Sequence, residues 1–193
     1  MNICVFGASS NRLDSVYFEQ AKALGLAIAG AGHCLVFGGG ASGLMGACAA
    51  GAREAGGEVL GIAPRFFDEP GILLKDYGQL IFTDTMSERK AMMEDRAEAF
   101  IALPGGIGTY EEFFEVLTLK QLGRHSKPMA LLDTQGYFRP MVQMLEKTAQ
   151  SGFMSESCLE LFSLCGSPEE AVEHCARGES SPVRIRHLEE YCR

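Results

Sequence analysis

With 193 residues, 47% of them hydrophobic and 22% charged, the sequence suits one domain with a sizeable buried core and is too apolar to be disordered overall. Its formal net charge of −8 argues against a nucleic-acid backbone as partner, because neutralising a run of phosphates takes a basic face; a small anion needs only a local pocket of N–H groups and an arginine. The seven cysteines (Cys4, Cys34, Cys48, Cys158, Cys165, Cys175 and Cys192) are odd in number and scattered without a CxxC pair, which argues against a disulfide framework or a zinc site and for reduced, mostly buried thiols.

The chain opens at Met1–Gly7 directly on an apolar strand, without the basic start, long apolar run and small-residue cleavage site of a secretory signal. No segment reaches the roughly 20 uninterrupted apolar residues of a membrane span. A cytoplasmic protein with no membrane partner is expected. Short apolar runs then alternate with longer amphipathic ones. Strands are expected at Ile3–Phe6, Cys34–Phe37, Val59–Ala63, Gln79–Thr83, Ala99–Leu103, Met129–Leu132 and Leu161–Leu164. Helices are expected at Ser15–Ala31, Leu44–Ala55, Met86–Arg96, Tyr110–Leu122, Phe138–Gln150 and Pro168–Ala176. The alternation predicts an α/β fold: a single doubly wound, mostly parallel, Rossmann-like sheet flanked by helices, over residues 1–193 as one domain. Pro64–Gly78, with two prolines, two glycines and no clear period, reads as a long loop; Ser180–Arg193, charged and poor in apolar residues, reads as a tail.

Three glycine-marked turns each follow a strand and precede a helix: Gly7-Ala8-Ser9-Ser10, Gly38-Gly39-Gly40-Ala41-Ser42-Gly43-Leu44-Met45-Gly46, and Pro104-Gly105-Gly106-Ile107-Gly108-Thr109. A doubly wound sheet gathers such turns at its C-terminal edge, where these folds bind ligands. Glycine allows close backbone approach, and the helix that follows offers unpaired N–H groups at its positive end, so each turn is a candidate phosphate seat. The second turn formally spells GxGxxG (Gly38, Gly40, Gly43). A dinucleotide site also wants an acidic residue closing the next strand, and that strand ends Ile62-Ala63-Pro64-Arg65 with none.

The third turn runs into Thr109-Tyr110-Glu111-Glu112. Thr-x-x-Glu spells a capping box, with Thr109 capping the helix and Glu112 bonding back to its start, yet the same carboxylate would stand one turn from a phosphate seat. The preceding helix carries Arg89, Met93 and Arg96 as an i, i+4, i+7 stripe, with Lys90 beside Arg89. Arg89 and Lys90 suit a solvated charged face, or an arginine facing a nucleotide held between the two helix starts.

These residues resemble the Lonely Guy family, whose hallmark is PGGxGTxxE preceded by an RK pair; here the hallmark stands intact from Pro104 to Glu112, with Arg89-Lys90 at the family's spacing. The resemblance is clear from Ile3 to about Gly123 and looser to Gly166. It implies a phosphoribohydrolase that cuts the N-glycosidic bond of AMP or an N6-substituted AMP, giving free base and ribose 5-phosphate, with Arg89 and Glu112 as the catalytic pair. It also implies substrate contacts from Lys90, Gly105, Gly106, Ile107, Gly108, Thr109, Tyr110, Glu111 and Thr118, with the first two turns adding Gly7, Ser9, Ser10, Gly39, Gly40 and Met45. A homodimer with the pocket near its interface follows from the same likeness; the apolar, methionine-containing helices Met86–Arg96 and Tyr110–Leu122 suit such a surface, and core burial accounts for them equally well. Two departures stand out: Ser87 replaces the histidine common two residues before the arginine, and Pro64–Asp84 is longer than in plant members.

The chemistry fits these residue types. Breaking an N-glycosidic bond builds positive charge on the ribose, which a carboxylate stabilises while it polarises a water. Arginine, charged at all working pH, holds substrate or steadies the leaving base. No metal, flavin, pyridoxal or other cofactor is called for. The rival reading is a non-catalytic nucleotide or molybdenum-cofactor carrier of the same fold, against which the retention of both Arg89 and Glu112 argues.

Overall fold

Among the described residues, 1–76 and 78–178, seven strands of the computed structural model form one sheet in which every pairing is parallel. In chain order the elements are β1 (Asn2–Phe6), α1 (Ser15–Gly30), β2 (Cys34–Phe37), α2 (Gly43–Glu54), β3 (Val59–Pro64), β4 (Gln79–Thr83), α3 (Met86–Arg96), β5 (Ala99–Ala102), α4 (Ile107–Gln121), β6 (Met129–Leu132), α5 (Arg139–Gln150), β7 (Ser163–Cys165) and α6 (Pro168–Arg177). The strand order is β4-β3-β2-β1-β5-β6-β7. The chain therefore winds outward from β1 in one direction, then restarts on its other side at β5. That reversal, between β1 and β5, is the switch point where a doubly wound sheet opens a crevice.

Strand alternation sorts the two cores. Ile3 and Val5 of β1 pack with Leu24 of α1, Leu44 of α2 and Val172 of α6, whereas Cys4 and Phe6 pack with Met93 of α3, Phe113 of α4 and Met141 of α5. Because both faces are covered, the central strands read as unbroken apolar runs rather than as alternating ones. Each fully buried side chain such as Ile3, Leu35 or Ile101 adds about 1.5–3 kcal/mol over an exposed one. No helix among the described residues is long and apolar enough to cross a membrane, and the six described cysteines are unpaired thiols, Cys34 alone lying outside the buried class. The tail expected at Ser180–Arg193, Cys192 included, lies outside the described residues.

Three local expectations are corrected. The capping box is not at Thr109: α4 begins at Ile107 with extended Gly106 as its N-cap, because Tyr110 N already bonds Gly106 O (3.1 Å). Thr109 is thus inside the first turn, buried against Gly105, and Glu112 accepts from Arg89. The capping box lies instead on α3, where Glu88 N donates to Thr85 Oγ1 (3.1 Å) and Thr85 N to Glu88 Oε2 (3.3 Å). The last strand is Ser163–Cys165, because Glu156–Leu161 is a 3-10 helix whose final carbonyl, Leu161 O, accepts from the buried Lys120 Nζ (2.8 Å) instead of joining the sheet. Finally, Pro64–Gly78 is not wholly irregular: it holds a 3-10 turn at Arg65–Phe67 and an antiparallel bridge from Leu73 to Gly40.

Candidate active site

The three glycine turns end adjacent strands, in the order β2, β1, β5, and backbone hydrogen bonds lace them together. Ala8 at the centre donates its N–H to Pro104 O (3.1 Å) and accepts at its carbonyl from Leu44 N (2.8 Å). Ser42 Oγ donates to Ser9 O (3.1 Å), and Gly43 N donates to Asn11 Oδ1 (2.8 Å). Gly43 has φ +63 and sits so near the first turn that a β-carbon would come within 2.3 Å of Ala8 O, so both conformation and space require glycine.

This lacing separates the turns by what they have left to offer. The leading amides of α2 are taken by Asn11 and Ala8. Those of Gly106, Ile107, Gly108 and Thr109 precede the first i→i−4 bond of α4, so the helix itself gives them no acceptor. Of the three expected phosphate seats, the third keeps the longest run of helix-start N–H groups without a helical acceptor.

A cavity of about 610 Å³ opens between these turns. Arg89 and Glu112 meet in it, Arg89 Nη2 donating to Glu112 Oε1 at 2.9 Å, with the two side chains only 12% and 13% exposed. Arg89 Nε is buried with no hydrogen-bond partner among the described residues. Gly38 makes room for the guanidinium, since a β-carbon there would lie 2.3 Å from Arg89 Nη2. So the first glycine of the formal GxGxxG admits an arginine from α3. Burial raises the Glu112 carboxyl above its ordinary value, with Arg89 pulling the other way. Beneath the pair, burial and the Glu112 charge hold the Cys4 thiol far above its usual range, so it is no thiolate nucleophile.

Of the residues expected at the site, Arg89, Glu112, Gly106, Gly108, Thr109, Gly7, Ser9, Gly40 and Met45 line this cavity. Lys90 is turned to the far side of α4, paired with Glu111 and with Glu115 (2.9 Å), and those hydrogen bonds raise its pKa. A lysine held protonated in this way is unsuited to forming a Schiff base. Gly105 is buried behind the lining, Gly39 under Leu73, and Ile107 and Ser10 stand exposed. Tyr110 points toward the turn before α5, where its hydroxyl donates to Tyr137 (3.3 Å), and Thr118 is exposed further along α4. Arg96, at the end of the expected stripe, faces two other clefts.

Sequence reasoning passed over Phe67, Ile72, Leu73 and Met86, which give the cavity an apolar lining. The segment carrying the first three straps the second turn: Ala41 N donates to Ile72 O (2.8 Å) and Leu74 N to Gly39 O (2.9 Å). Asp68 and Lys75 close its base as an ion pair. The signal available was the apolar content of Phe66-Phe67 and Ile72-Leu73-Leu74 within an otherwise loop-like stretch.

A second cleft, of about 550 Å³, lies at the N-terminal ends of β1 to β4 and is lined by Asn2, Cys34, Arg53, Glu58 and Arg96 among others. It lacks the convergent turns and the buried ion pair, and such sheets bind at the opposite edge.

The family model described as "Possible lysine decarboxylase" matches residues 45–175. A cytokinin riboside 5′-monophosphate phosphoribohydrolase of Arabidopsis thaliana is 39% identical over 171 residues, spanning 89% of this chain and 75% of the relative. A protein of the same name from Mycobacterium tuberculosis is 40% identical over 158 residues, 82% of this chain and 84% of the relative. Among solved structures, a molybdenum cofactor carrier protein from Chlamydomonas reinhardtii superposes with a TM-score of 0.71 at 23% identity, covering 93% of this chain and 98% of the carrier, a likeness of fold alone.

Proposed function

The chain belongs to the Lonely Guy family of cytokinin riboside 5′-monophosphate phosphoribohydrolases, and from that membership we propose that it hydrolyses the N-glycosidic bond of AMP or an N6-substituted AMP. The observation that carries this reading is the buried Arg89–Glu112 pair in a cavity rimmed by the glycine turns. The 5′-phosphate sits on the free amides of Gly106–Thr109, where the helix start favours an anion. That remote anchor holds C1′ of the ribose over Glu112.

As the bond between C1′ and the base nitrogen breaks, its electron pair leaves with the base, and positive charge grows on the sugar. Ionised Glu112 stabilises that charge and accepts a proton from the water whose oxygen bonds to C1′; an equivalent proton reaches the departing base, so that neutral base and ribose 5-phosphate leave and Glu112 is ionised again. The raised proton affinity of a buried carboxylate suits this second task. Arg89 keeps Glu112 oriented and places a permanent positive charge beside the departing base. The apolar lining from Phe67, Ile72, Leu73 and Met86 suits the base and an apolar N6 substituent. None of these steps passes through a lysine or a bound cofactor, so the reading departs from the decarboxylase wording of the family description.

A cytoplasmic homodimer belongs to the same reading. Ile107 is 88% exposed at the start of α4, with Phe66 and Met86 exposed as well, and a second copy of the chain would cover them. The test of function is direct: incubate the protein with AMP and with an N6-isopentenyl AMP and assay free base and ribose 5-phosphate. Release of both products supports the reading. Tight nucleotide binding without products favours a carrier instead.

A further inference from the structure

We propose that Tyr137 is a positioning residue for the phosphate seat, acting through the peptide that joins Gly105 to Gly106. The inference rests on the reading of Gly106–Thr109 as that seat. Tyr137 donates its hydroxyl proton to Gly105 O at 2.6 Å. No peptide bond among the described residues is cis, and in a planar trans peptide the carbonyl and the following N–H point in opposite directions. Drawing the Gly105 carbonyl back onto Tyr137 therefore turns the Gly106 N–H the other way. The exposure pattern agrees, since Gly105 is buried while Gly106 lines the cavity. Between two adjacent glycines this peptide plane has little intrinsic preference, so an external anchor decides its orientation.

The anchor is itself held. The carbonyl of Gly105 is acceptor only, which commits the Tyr137 proton to it and leaves the phenol oxygen to accept from Tyr110 (3.3 Å). Burial, reinforced by Tyr110, pushes the Tyr137 phenol up to about 12, so it stays a donor through the neutral range. The Tyr137 ring meets Tyr17 and Phe138 edge-on. The turn that delivers it holds Gln135 at φ 56, a left-handed conformation unusual outside glycine, followed by Gly136 at φ 75. Asp133 braces that turn by accepting from Phe138 N (2.8 Å). Strain of this kind persists only where the surroundings over-determine it. Tyr110, which the sequence resemblance placed among the substrate contacts, thus reaches the seat through Tyr137.

The test removes the hydroxyl and keeps the ring, as Tyr137→Phe, and reads the ratio of the AMP and adenosine dissociation constants by calorimetry. Both proteins carry Glu112→Gln so that ligand is not consumed. Losing one oriented donor is expected to lower the preference for AMP about tenfold, with Tyr110→Phe lowering it by a smaller factor. An unchanged ratio in both variants, or equal weakening of AMP and adenosine alongside a falling melting temperature, overturns the proposal and makes Tyr137 structural. A parent protein that binds AMP no better than adenosine overturns the phosphate seat itself, and this proposal with it. Preference in the parent with no change in Tyr137→Phe overturns the positioning role alone.

Discussion

Gly38 and Arg89 are packed so closely that a single methyl group on Gly38 would stand 2.3 Å from the guanidinium Nη2. The two residues come from different strand–helix units, and neither motif containing them mentions the other. Gly38 does not need a left-handed backbone, so alanine is conformationally allowed there. Its cost falls on the position of Arg89.

Gly38→Ala is therefore expected to fold, melt within a few degrees of wild type, and lose activity on AMP by about 10²-fold, the scale of a catalytic group displaced by an ångström. Steady-state kinetics and thermal melts on the same preparation check this. Wild-type turnover in Gly38→Ala would mean that Arg89 does not need its present place.

Arg89→Lys keeps the charge and loses the planar fork through which Nη2 reaches Glu112. The expected outcome is a fall in kcat of tenfold or more, since lysine offers a compact point charge on a shorter reach. A variant with near-normal kcat would reduce Arg89 to a generic counter-charge.

The pH profile follows from Glu112. Burial raises its pKa and the Arg89 charge lowers it, burial being the larger influence. The reaction needs the ionised carboxylate, so kcat/KM is expected to fall on acidification through a pKa above the ordinary glutamate range. Replacing Arg89 with methionine removes the lowering influence and moves that limb to higher pH. An acid limb that stays put in Arg89→Met would assign it to another group.

Lys120 gives a stability test remote from the site. It is 2% exposed, donates to Leu161 O, and has its pKa lowered to about 8 by burial. A folded-state pKa below the unfolded one means that the unfolded chain binds more protons between the two values. Stability from this group therefore rises as pH rises from about 8 toward the ordinary lysine value of 10.5. Denaturation midpoints should show wild type gaining on Lys120→Met across that window. Parallel pH curves for the two proteins would place the Lys120 ammonium in solvent.

The strands and the glycine turns were legible because each is a local signal, either an apolar run of the right length or glycines between a run and a helix. That Arg89 and Glu112 face each other across one cavity was legible only through the resemblance to a family that carries RK and PGGxGTxxE. What escaped was set by long-range geometry. The strap over the cavity depends on a bridge between Gly40 and Leu73, a pairing with no period to announce it. Lys90 has a sequence neighbour in the cavity, yet the helical twist carries it to Glu111 and Glu115. The Thr-x-x-Glu pattern occurs at Thr85 and again at Thr109, and only tertiary context decides which is a cap: at Thr109 the glycine N-cap three residues earlier starts the helix first. Tyr137 reaches Gly105 from the turn that follows β6, 32 residues along the chain and beyond any local reading.

Glu112→Gln separates the carboxylate that bears the chemistry from one that only packs. Glutamine keeps the size and an oxygen that can accept from Arg89, but presents no negative charge to a cationic sugar. The measurement is single-turnover release of adenine from AMP, alongside AMP affinity and the melting temperature. The expected variant folds, melts within a few degrees of wild type, still binds AMP, and releases base at least about 10²-fold more slowly. A Glu112→Gln protein that cleaves AMP at close to the wild-type rate would contradict the catalytic role of the carboxylate.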